Sequence, residues 1–197
     1  MKQFVETIKI KDGKVLNLLC HQERMNRTIA HFFPTNEYPL LSSILHPTPD
    51  MTFHKARVVY GEHGIEDIQY SPYAMRAIHS LKLIIDDTID YTYKSTDRSA
   101  LNRLVAQKGE CDDILIVKDG LLTDTSFTNI ALWDGSHWLT PRTPLLKGTK
   151  RALLLNKGTI REVDLTIDDL CRCKRISLIN AMIDLGEIEL ESSAIFQ

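Results

Sequence analysis

The sequence predicts an α+β fold with two domains, and three observations lead to this prediction. Apolar runs rich in β-branched residues are joined by tight turns such as Asp12-Gly13, which is typical of antiparallel hairpins. Residues 20–33 and 99–107 instead carry apolar side chains at helical spacing. The chain has 197 residues, enough for two small domains, and an acidic loop beginning at Asp86 separates two halves. We therefore predict domains at 1–90 and 91–197.

The first half is predicted to be mostly antiparallel sheet with one long helix. This helix is expected from Cys20 to about Phe33, where Pro34 stops it. Prolines are concentrated between residues 34 and 50, which predicts a loop around a short helix at 40–45. Apolar runs predict strands at 4–10, 15–19, 53–60, 65–70 and 76–85.

The second half is predicted to combine strands with short helices. A helix is expected from about Ser99 to Gln107, and Gly109 provides a stop signal after it. Another helix is expected to open at Gly148, and Thr166 with Asp169 fits the capped start of a third. Apolar runs predict strands at 113–117, 121–124, 129–133, 137–140, 160–165 and 188–190, and a strand followed by a turn at 176–181.

Composition indicates an ordinary globular protein. Hydrophobic residues make up 43% of the chain and charged residues 25%, and the net charge is −2. Because the chain has no basic block, neither nucleic acid nor an anionic membrane is predicted as a partner. No apolar run reaches transmembrane length, and the first residues lack the apolar stretch of a signal peptide. We therefore expect a soluble, cytoplasmic protein.

The cysteines are expected to be reduced and mainly structural. Cys20, Cys111, Cys171 and Cys173 are scattered apart from one Cys-x-Cys pair, which is not a zinc spacing. Their number is also low for a disulfide scaffold. The histidines show no metal-ligand spacing either, so no metal site is predicted.

Lys94 is the candidate nucleophile. It lies at the predicted junction between the two halves, flanked by Tyr91 and Tyr93. Desolvation or neighbouring cations can lower the pKa of a lysine near a cleft, which makes its amine a nucleophile toward carbonyl groups. The alternative is a solvated surface lysine, which is the usual state of this residue type.

Several other polar residues suit a phosphorylated ring that carries positive charge. Asp124 places a carboxylate at the end of a strand, and Asn180-Ala181 is a polar turn after a buried strand. Gly148-Thr149-Lys150 opens a helix whose free backbone N–H groups can hold a phosphate. Arg24, near the start of the first long helix, would reinforce anion binding there. Each of these residues could instead belong to an ordinary turn or surface.

Short motifs follow one another in a characteristic order along nearly the whole chain. They are Phe-Val-Glu-Thr-Ile (4–8), Asp-Gly (12–13), His-x-x-Arg-Met (21–25), Tyr-Lys-x-x-Asp-Arg (93–98), Asp-Asp-Ile-Leu (112–115), Leu-Thr-Asp-Thr-Ser-Phe-Thr-Asn-Ile (122–130), Thr-Pro (140–141), Leu-Leu-Lys-Gly-Thr-Lys-Arg (145–151) and Ile-Asn-Ala-Met (179–182). This order resembles the class IV aminotransferase family, the fold-type-IV enzymes that use pyridoxal 5'-phosphate. The resemblance implies a two-domain fold-type-IV architecture with the cofactor between the halves, and a homodimer.

The resemblance also implies roles for individual residues. Lys94 matches the family lysine that forms a Schiff base with pyridoxal phosphate and moves protons at the substrate Cα. Arg24 matches the arginine that binds the cofactor phosphate. Gly148-Thr149-Lys150 and Asn180-Ala181 match two segments that also hold this phosphate. Asp124 lies where the family usually has a glutamate that faces the pyridine nitrogen.

Some positions depart from the family pattern. Asp124 is one methylene shorter than glutamate, but it can still keep the ring nitrogen protonated so that the ring accepts electrons from Cα. Lys150 replaces a threonine and adds a positive charge. Arg98 follows Asp97 where an asparagine with an aromatic residue or arginine is common, and it could reach the phenolic oxygen of the cofactor or the substrate. The segment before Lys94 is also shorter than in most members.

Among the family's activities, the sequence favours aminodeoxychorismate lyase, an enzyme of folate biosynthesis that releases pyruvate and forms 4-aminobenzoate. The turn at 179–182 and the compact chain resemble the lyase more than the branched-chain enzymes. Arg57, Arg76 and Arg98 are candidates to bind the carboxylates of this small amino substrate, because arginine pairs with carboxylates through two hydrogen bonds. The alternative for Arg57 and Arg76 is a position on an exposed strand surface.

Two other functions stay open at this point. One is transamination of branched-chain or D-amino acids, in which Lys94 would serve as base just as in the lyase. The other is a non-catalytic descendant of the fold that binds pyridoxal phosphate or nothing, which the departures at Asp124 and Lys150 motivate.

Overall fold

The structure, a computed structural model, describes residues 2–34 and 37–196. Its contacts divide the chain into two compact units, Met1–Met75 with Tyr93–Asp97, and Arg76–Thr92 with Arg98–Gln197. Each unit contains helices and sheet, so the predicted α+β class is confirmed. The division into domains 1–90 and 91–197 stays a prediction. The compact units differ from it because residues 76–90 group with the second unit and residues 93–97 with the first.

The first unit contains a four-stranded antiparallel sheet in the order β2-β1-β3-β4. The strands are β1 (Gln3–Lys11), β2 (Lys14–Val15), β3 (Phe53–Gly61) and β4 (Gly64–Pro72). Asp12 and Gly13 connect β1 to β2 with φ values of 49° and 70°, which is the left-handed turn that the Asp-Gly pair predicts. Every second residue of β1 from Phe4 to Ile10 is buried, so this strand presents one face to the core.

Two helices complete the first unit, α1 (Leu18–Phe32) and α2 (Leu41–Ile44). The strand predicted at 15–19 is shorter than expected, since Asn17 adopts a left-handed conformation that turns the chain into α1. Met25 and Ile29 of α1 pack in one apolar cluster with Phe4 and Ile8 of β1. This packing holds the helix against the buried face of the sheet.

The second unit contains a nine-stranded sheet. Its strands are β5 (Leu81–Ile85), β6 (Asp113–Lys118), β7 (Leu121–Thr125), β8 (Asn129–Trp133), β9 (Trp138–Pro141), β10 (Ile160–Val163), β11 (Arg175–Ile179), β12 (Glu189–Leu190) and β13 (Ile195–Phe196). The main path runs β10-β9-β8-β7-β6-β5-β13, and β11 pairs with both β8 and β12. The pairs β5–β6, β5–β13 and β9–β10 are parallel, and the others are antiparallel.

Three α-helices and one 3-10 helix flank these strands: α3 (Ser99–Val105), α4 (Thr149–Asn156), α5 (Ile167–Arg172) and the 3-10 helix Ser192–Ala194. The predicted cap of α5 is confirmed, because Asp169 N donates to Thr166 Oγ1 and Thr166 N donates to Asp169 Oδ2. Within the part of the chain that the structure describes, no helix is both long enough and apolar enough to span a membrane.

The strand predicted at 76–85 covers only β5. Before β5, the backbone N–H of His79 donates to Asp112 Oδ2 over 2.7 Å, and the Ser80 side chain accepts from Asp112 N over 3.1 Å. These bonds replace the ladder bonds of a strand.

Candidate active site

Lys94 lies in a segment whose backbone is bound to β1. Val5 N donates to the Lys94 carbonyl over 2.9 Å, and Thr96 N donates to the Gln3 carbonyl over 3.0 Å. Phe4 and Ser95 form an isolated antiparallel bridge between these two bonds. The Lys94 side chain is half-buried. The strand thus fixes the Cα of the candidate nucleophile, although the segment itself has no regular structure.

Tyr93 anchors the same segment to α1. Its ring stacks on His31 with centroids 4.8 Å apart and meets the edge of Phe32 at the same centroid distance. Phe4 of β1 also contacts it, with centroids 6.3 Å apart. These contacts restrict the backbone next to Lys94 from the helix side.

Arg24 is buried and forms a two-point ion pair with Glu6 of β1. Arg24 Nε donates to Glu6 Oε1 over 2.8 Å and Nη2 donates to Oε2 over 2.6 Å. His21 Nδ1 lies 2.6 Å from the same Oε2, and Glu6 is fully buried. The pair fixes the plane of the guanidinium that was predicted to bind a phosphate.

The charges of this cluster follow from its pKa values. Burial alone raises the pKa of Glu6, but the charge of Arg24 and hydrogen bonds from His21 and Arg24 lower it to about 2. Burial lowers the pKa of His21, and the charges of Arg24 and Lys94 lower it further. The hydrogen bond to Glu6 raises it, but the net shift of the His21 pKa is downward. At neutral pH Glu6 is therefore ionised and His21 neutral, so His21 donates from Nδ1.

Asp124 is a buried carboxylate at the end of β7. Asn129 Nδ2 donates to Asp124 Oδ1 and Leu146 N donates to Oδ2, both over 2.8 Å. Burial raises the pKa of Asp124 to about 7, although both amide bonds and the charge of Arg151 lower it. Neutral amides satisfy the hydrogen bonds of this carboxylate without supplying the opposite charge that a buried anion needs.

The start of α4 is buried and polar. Thr149, Lys150 and Arg151 are each less than 9% exposed, and no side chain caps the helix at Gly148. The first turn of a helix presents N–H groups that have no acceptor within the helix. Lys150 Nζ pairs with Asp184, so the extra positive charge noted in the sequence has a carboxylate partner in the structure.

The turn at Asn180 and Ala181 is shaped by the asparagine side chain. Its Oδ1 accepts from Met182 N over 2.8 Å and from Ile183 N over 3.0 Å. Its Nδ2 donates to the Phe127 carbonyl over 3.3 Å. The Asn180 side chain therefore acts in forming the turn.

The candidate arginines differ in their surroundings. Arg98 Nη2 donates to the Ser126 carbonyl over 2.8 Å, and its guanidinium lies 5.8 Å from the Tyr91 ring centroid. Arg76 is exposed, with its guanidinium 5.9 Å from the Phe127 ring centroid. Arg57 lies on β3, half-exposed and 3.7 Å from Asp67. Their roles toward a substrate stay predictions.

Within the second unit, the predicted residues converge on the segment 125–128 that follows Asp124. Arg98 binds it at residue 126, and Asn180 and Arg76 meet it at Phe127. In the first unit, Lys94 and Arg24 both act on the pKa of His21. Each unit thus collects a separate group of the predicted side chains.

Sequence reasoning missed three polar residues that hold these groups: Glu6, Asn129 and Asp184. Glu6 had a detectable signal, because it is a charged residue on the apolar face of an alternating strand. Asn129 and Asp184 gave none, since a polar residue at a strand end or in a turn is usually solvated.

Similarity to other proteins extends over most of the chain. Residues 63–189 match the model of the family described as amino-transferase class IV. An uncharacterised protein of Haemophilus influenzae is 37% identical over 186 residues, which cover 92% of this chain and 98% of that protein. A solved structure from Haemophilus somnus, provisionally named a 4-amino-4-deoxychorismate lyase, is 33% identical with a TM-score of 0.85 and covers 94% of this chain and 98% of its own. A Schizosaccharomyces pombe protein, provisionally named an aminodeoxychorismate lyase, is 26% identical over 190 residues, 86% of this chain and 82% of that protein. The predicted fold-type-IV architecture is confirmed.

Proposed function

Since the chain belongs to the class IV aminotransferase family, we propose that it is a pyridoxal-phosphate-dependent 4-amino-4-deoxychorismate lyase. In this reaction pyruvate leaves the substrate and 4-aminobenzoate remains. The single observation that carries the cofactor assignment is Asp124, a buried carboxylate with a raised pKa and amide partners.

Asp124 suits the protonated nitrogen of a pyridine ring. Such a nitrogen offers one N–H donor and a positive charge, and the buried carboxylate lacks a bonded cation of its own among the described residues. Binding would therefore favour the ionised aspartate and the protonated ring together. The shorter side chain departs from the family glutamate, but the chemistry of the pair is the same.

The donors for a phosphate are of two kinds. Arg24 supplies a guanidinium that Glu6 holds in one plane, and the start of α4 supplies backbone N–H groups in a buried turn. The turn at Asn180 and Ala181 supplies further backbone, shaped by the Asn180 side chain. Within its own unit, each of these groups is of a kind that binds a dianion by orientation as well as by charge.

Lys94 is proposed to bind the cofactor covalently and to move the protons. Bound pyridoxal phosphate supplies an electron sink for the carbon that bears the substrate amine. Once the substrate amine had displaced Lys94 from the cofactor, Lys94 Nζ would be free to take the proton from this carbon as a base, and the resulting ammonium could return a proton to the departing group. Because β1 and Tyr93 fix the backbone on both sides of Lys94, its Nζ moves only by side-chain rotation.

The choice of lyase over aminotransferase rests on two supports. The Haemophilus somnus protein, which covers nearly the whole chain at 33% identity, carries the lyase name. The turn Ile179–Met182 also has the lyase-like sequence. An aminotransferase would use the same lysine and cofactor, so the substrate assay separates the two.

The test begins with the absorbance spectrum of purified protein after incubation with pyridoxal phosphate, followed by borohydride reduction and peptide mapping. We expect a visible band and a pyridoxyl adduct on Lys94, both lost in Lys94→Ala and kept in Lys157→Ala, which changes an exposed lysine. Pyruvate release from aminodeoxychorismate is then compared with keto-acid transamination. No adduct on Lys94 would overturn the cofactor assignment, and an adduct with transamination alone would overturn the lyase reaction.

We also propose that the protein is a homodimer, by analogy with its family. Light scattering on the active protein is expected to give the mass of two chains. An active protein with the mass of one chain would contradict this proposal.

A further inference from the structure

We infer that Asn129 is a positioning residue that joins the ring-binding carboxylate Asp124 to the segment leading into α4. This inference rests on the proposed function, because it concerns the same cofactor site. Asn129 itself need not touch the cofactor. Its side chain fixes two elements that do, and it does so within the second unit alone.

Asn129 uses both hydrogens of its side-chain amide on these two elements. It is the first residue of β8 and lies opposite Asp124 of β7 in the strand register. Its Nδ2 donates to Asp124 Oδ1 and to the Leu146 carbonyl, each over 2.8 Å. The side chain is buried, with the residue only 5% exposed.

Leu146 closes this arrangement into a ring of hydrogen bonds. Its N–H donates to Asp124 Oδ2 over 2.8 Å, while its carbonyl accepts from Asn129. Asp124, Asn129 and Leu146 are therefore linked pairwise, and neither carboxylate oxygen can rotate without breaking a bond. A buried network with every member satisfied holds a single geometry.

Gly148 provides independent evidence for the close approach of Asn129. Its backbone has φ −66° and ψ 146°, a conformation that any residue adopts. A Cβ at this position would overlap Asn129 Oδ1. Glycine is needed before α4 because the Asn129 side chain fills the space that a Cβ at residue 148 would occupy. Backbone strain is not the reason.

The arrangement has a measurable electrostatic consequence. A hydrogen bond to the ionised form of a carboxylate lowers its pKa, and the Asn129 bond is among the contacts that do so for Asp124. The charge of Arg151 in α4 acts in the same direction. Removing Asn129 is therefore expected to raise the pKa of Asp124 further, which a role confined to packing would not do.

The experiment compares Asn129→Ala with Thr123→Val. Thr123 is a matched control, because it is a buried neighbour of Asp124 whose hydroxyl donates one 2.8 Å bond, to the Ile116 carbonyl. The Asp124 carboxyl is titrated in the cofactor-free protein by carbon NMR, assigned with Asp124→Asn. The Kd for pyridoxal phosphate is measured in parallel by absorbance.

We expect Asn129→Ala to raise the pKa of Asp124 by about one to two units and the Kd by about tenfold or more. Thr123→Val should leave both near their wild-type values. An unchanged pKa and Kd in Asn129→Ala would overturn the inference while the proposed function stands. A wild-type protein that binds no pyridoxal phosphate would overturn the proposed function, and the titration would still decide whether Asn129 acts on Asp124.

A second pair of variants tests the geometry if Asn129→Ala folds poorly. Gly148→Ala alone is expected to weaken cofactor binding, because the new Cβ displaces Asn129. In the double variant Gly148→Ala with Asn129→Ser, the shorter serine side chain leaves room for the new Cβ. The loss of cofactor affinity in the double variant should therefore be smaller than the summed losses of the two single variants. Full additivity would show that the two residues act separately and would overturn the inference.

Discussion

In the cofactor-free protein, Asp124→Asn is expected to gain stability relative to wild type as the pH rises from acidic to alkaline. The ordinary pKa of this carboxyl is 3.8, and burial raises it to about 7 in the folded protein. The protonated side chain therefore contributes stability that is fully present below pH 3.8 and is lost as the pH rises through 7. An asparagine cannot ionise, so it loses nothing over the same range.

The size of this effect follows from the separation of the two pKa values. Each pH unit between them changes the free energy of unfolding by about 1.4 kcal/mol. Wild type should thus lose roughly 3 kcal/mol between about pH 5 and about pH 8.5 relative to Asp124→Asn. The asparagine also presents an amide to one of the two donors, Asn129 or Leu146, but this cost is the same at both pH values and cancels in the difference.

Urea unfolding of the cofactor-free protein, followed by tryptophan fluorescence at the two pH values, measures this difference. Asp164→Asn is the control, because Asp164 is exposed and its partner Arg142 is exposed as well. If wild type and Asp124→Asn differ in stability by the same amount at both pH values, Asp124 does not carry a raised pKa. A cationic ring would then not be needed to stabilise the ionised form of Asp124.

Two further predictions concern polar contacts elsewhere in the molecule. Glu6→Gln is expected to cost about 3–5 kcal/mol of stability at neutral pH, because it leaves buried Arg24 without its carboxylate. This loss should shrink as the pH falls from 4.5 toward 2, where wild-type Glu6 also becomes protonated; urea unfolding that gives an equal loss at neutral pH and near pH 3 would contradict the pairing. Thr166→Ala is expected to cost about 1 kcal/mol through loss of the α5 cap, with Ser192→Ala as a control outside that helix; thermal unfolding that shows no greater loss for Thr166→Ala would contradict the cap.

The helices and strands followed largely from local signals. The alternation in β1, the turn at Asp12-Gly13 and the capping box at Thr166 each depend on neighbours within a few residues, so the sequence alone reveals them. The bounds of two strands were predicted wrongly, because a backbone conformation or a long-range hydrogen bond prevailed over the local apolar pattern. Asn17 ends β2 early by adopting a left-handed conformation. Where a strand was predicted before β5, the Asp112 side chain accepts from His79 N and the Ser80 side chain accepts from Asp112 N.

For the candidate site too, some residues could be predicted from the sequence and others could not. Lys94, Arg24 and Asp124 were predicted as site residues because their motifs stand in a fixed order along the chain, which a sequence displays directly. Their partners could not be identified in that way. Lys150 illustrates this, because the sequence shows its added positive charge but not that Asp184, 34 residues away, lies beside its Nζ.

The sequence by itself determined the α+β class, most of the helices and strands, the family and the residues proposed for its chemistry, because these depend on local patterns and motif order. Only the tertiary structure decided which groups those residues contact. Arg24 meets Glu6 across 18 positions of sequence, and Asp124 meets Leu146 across 22. The pKa of a buried carboxylate depends on such contacts, since burial and charged neighbours arise only when distant segments pack together.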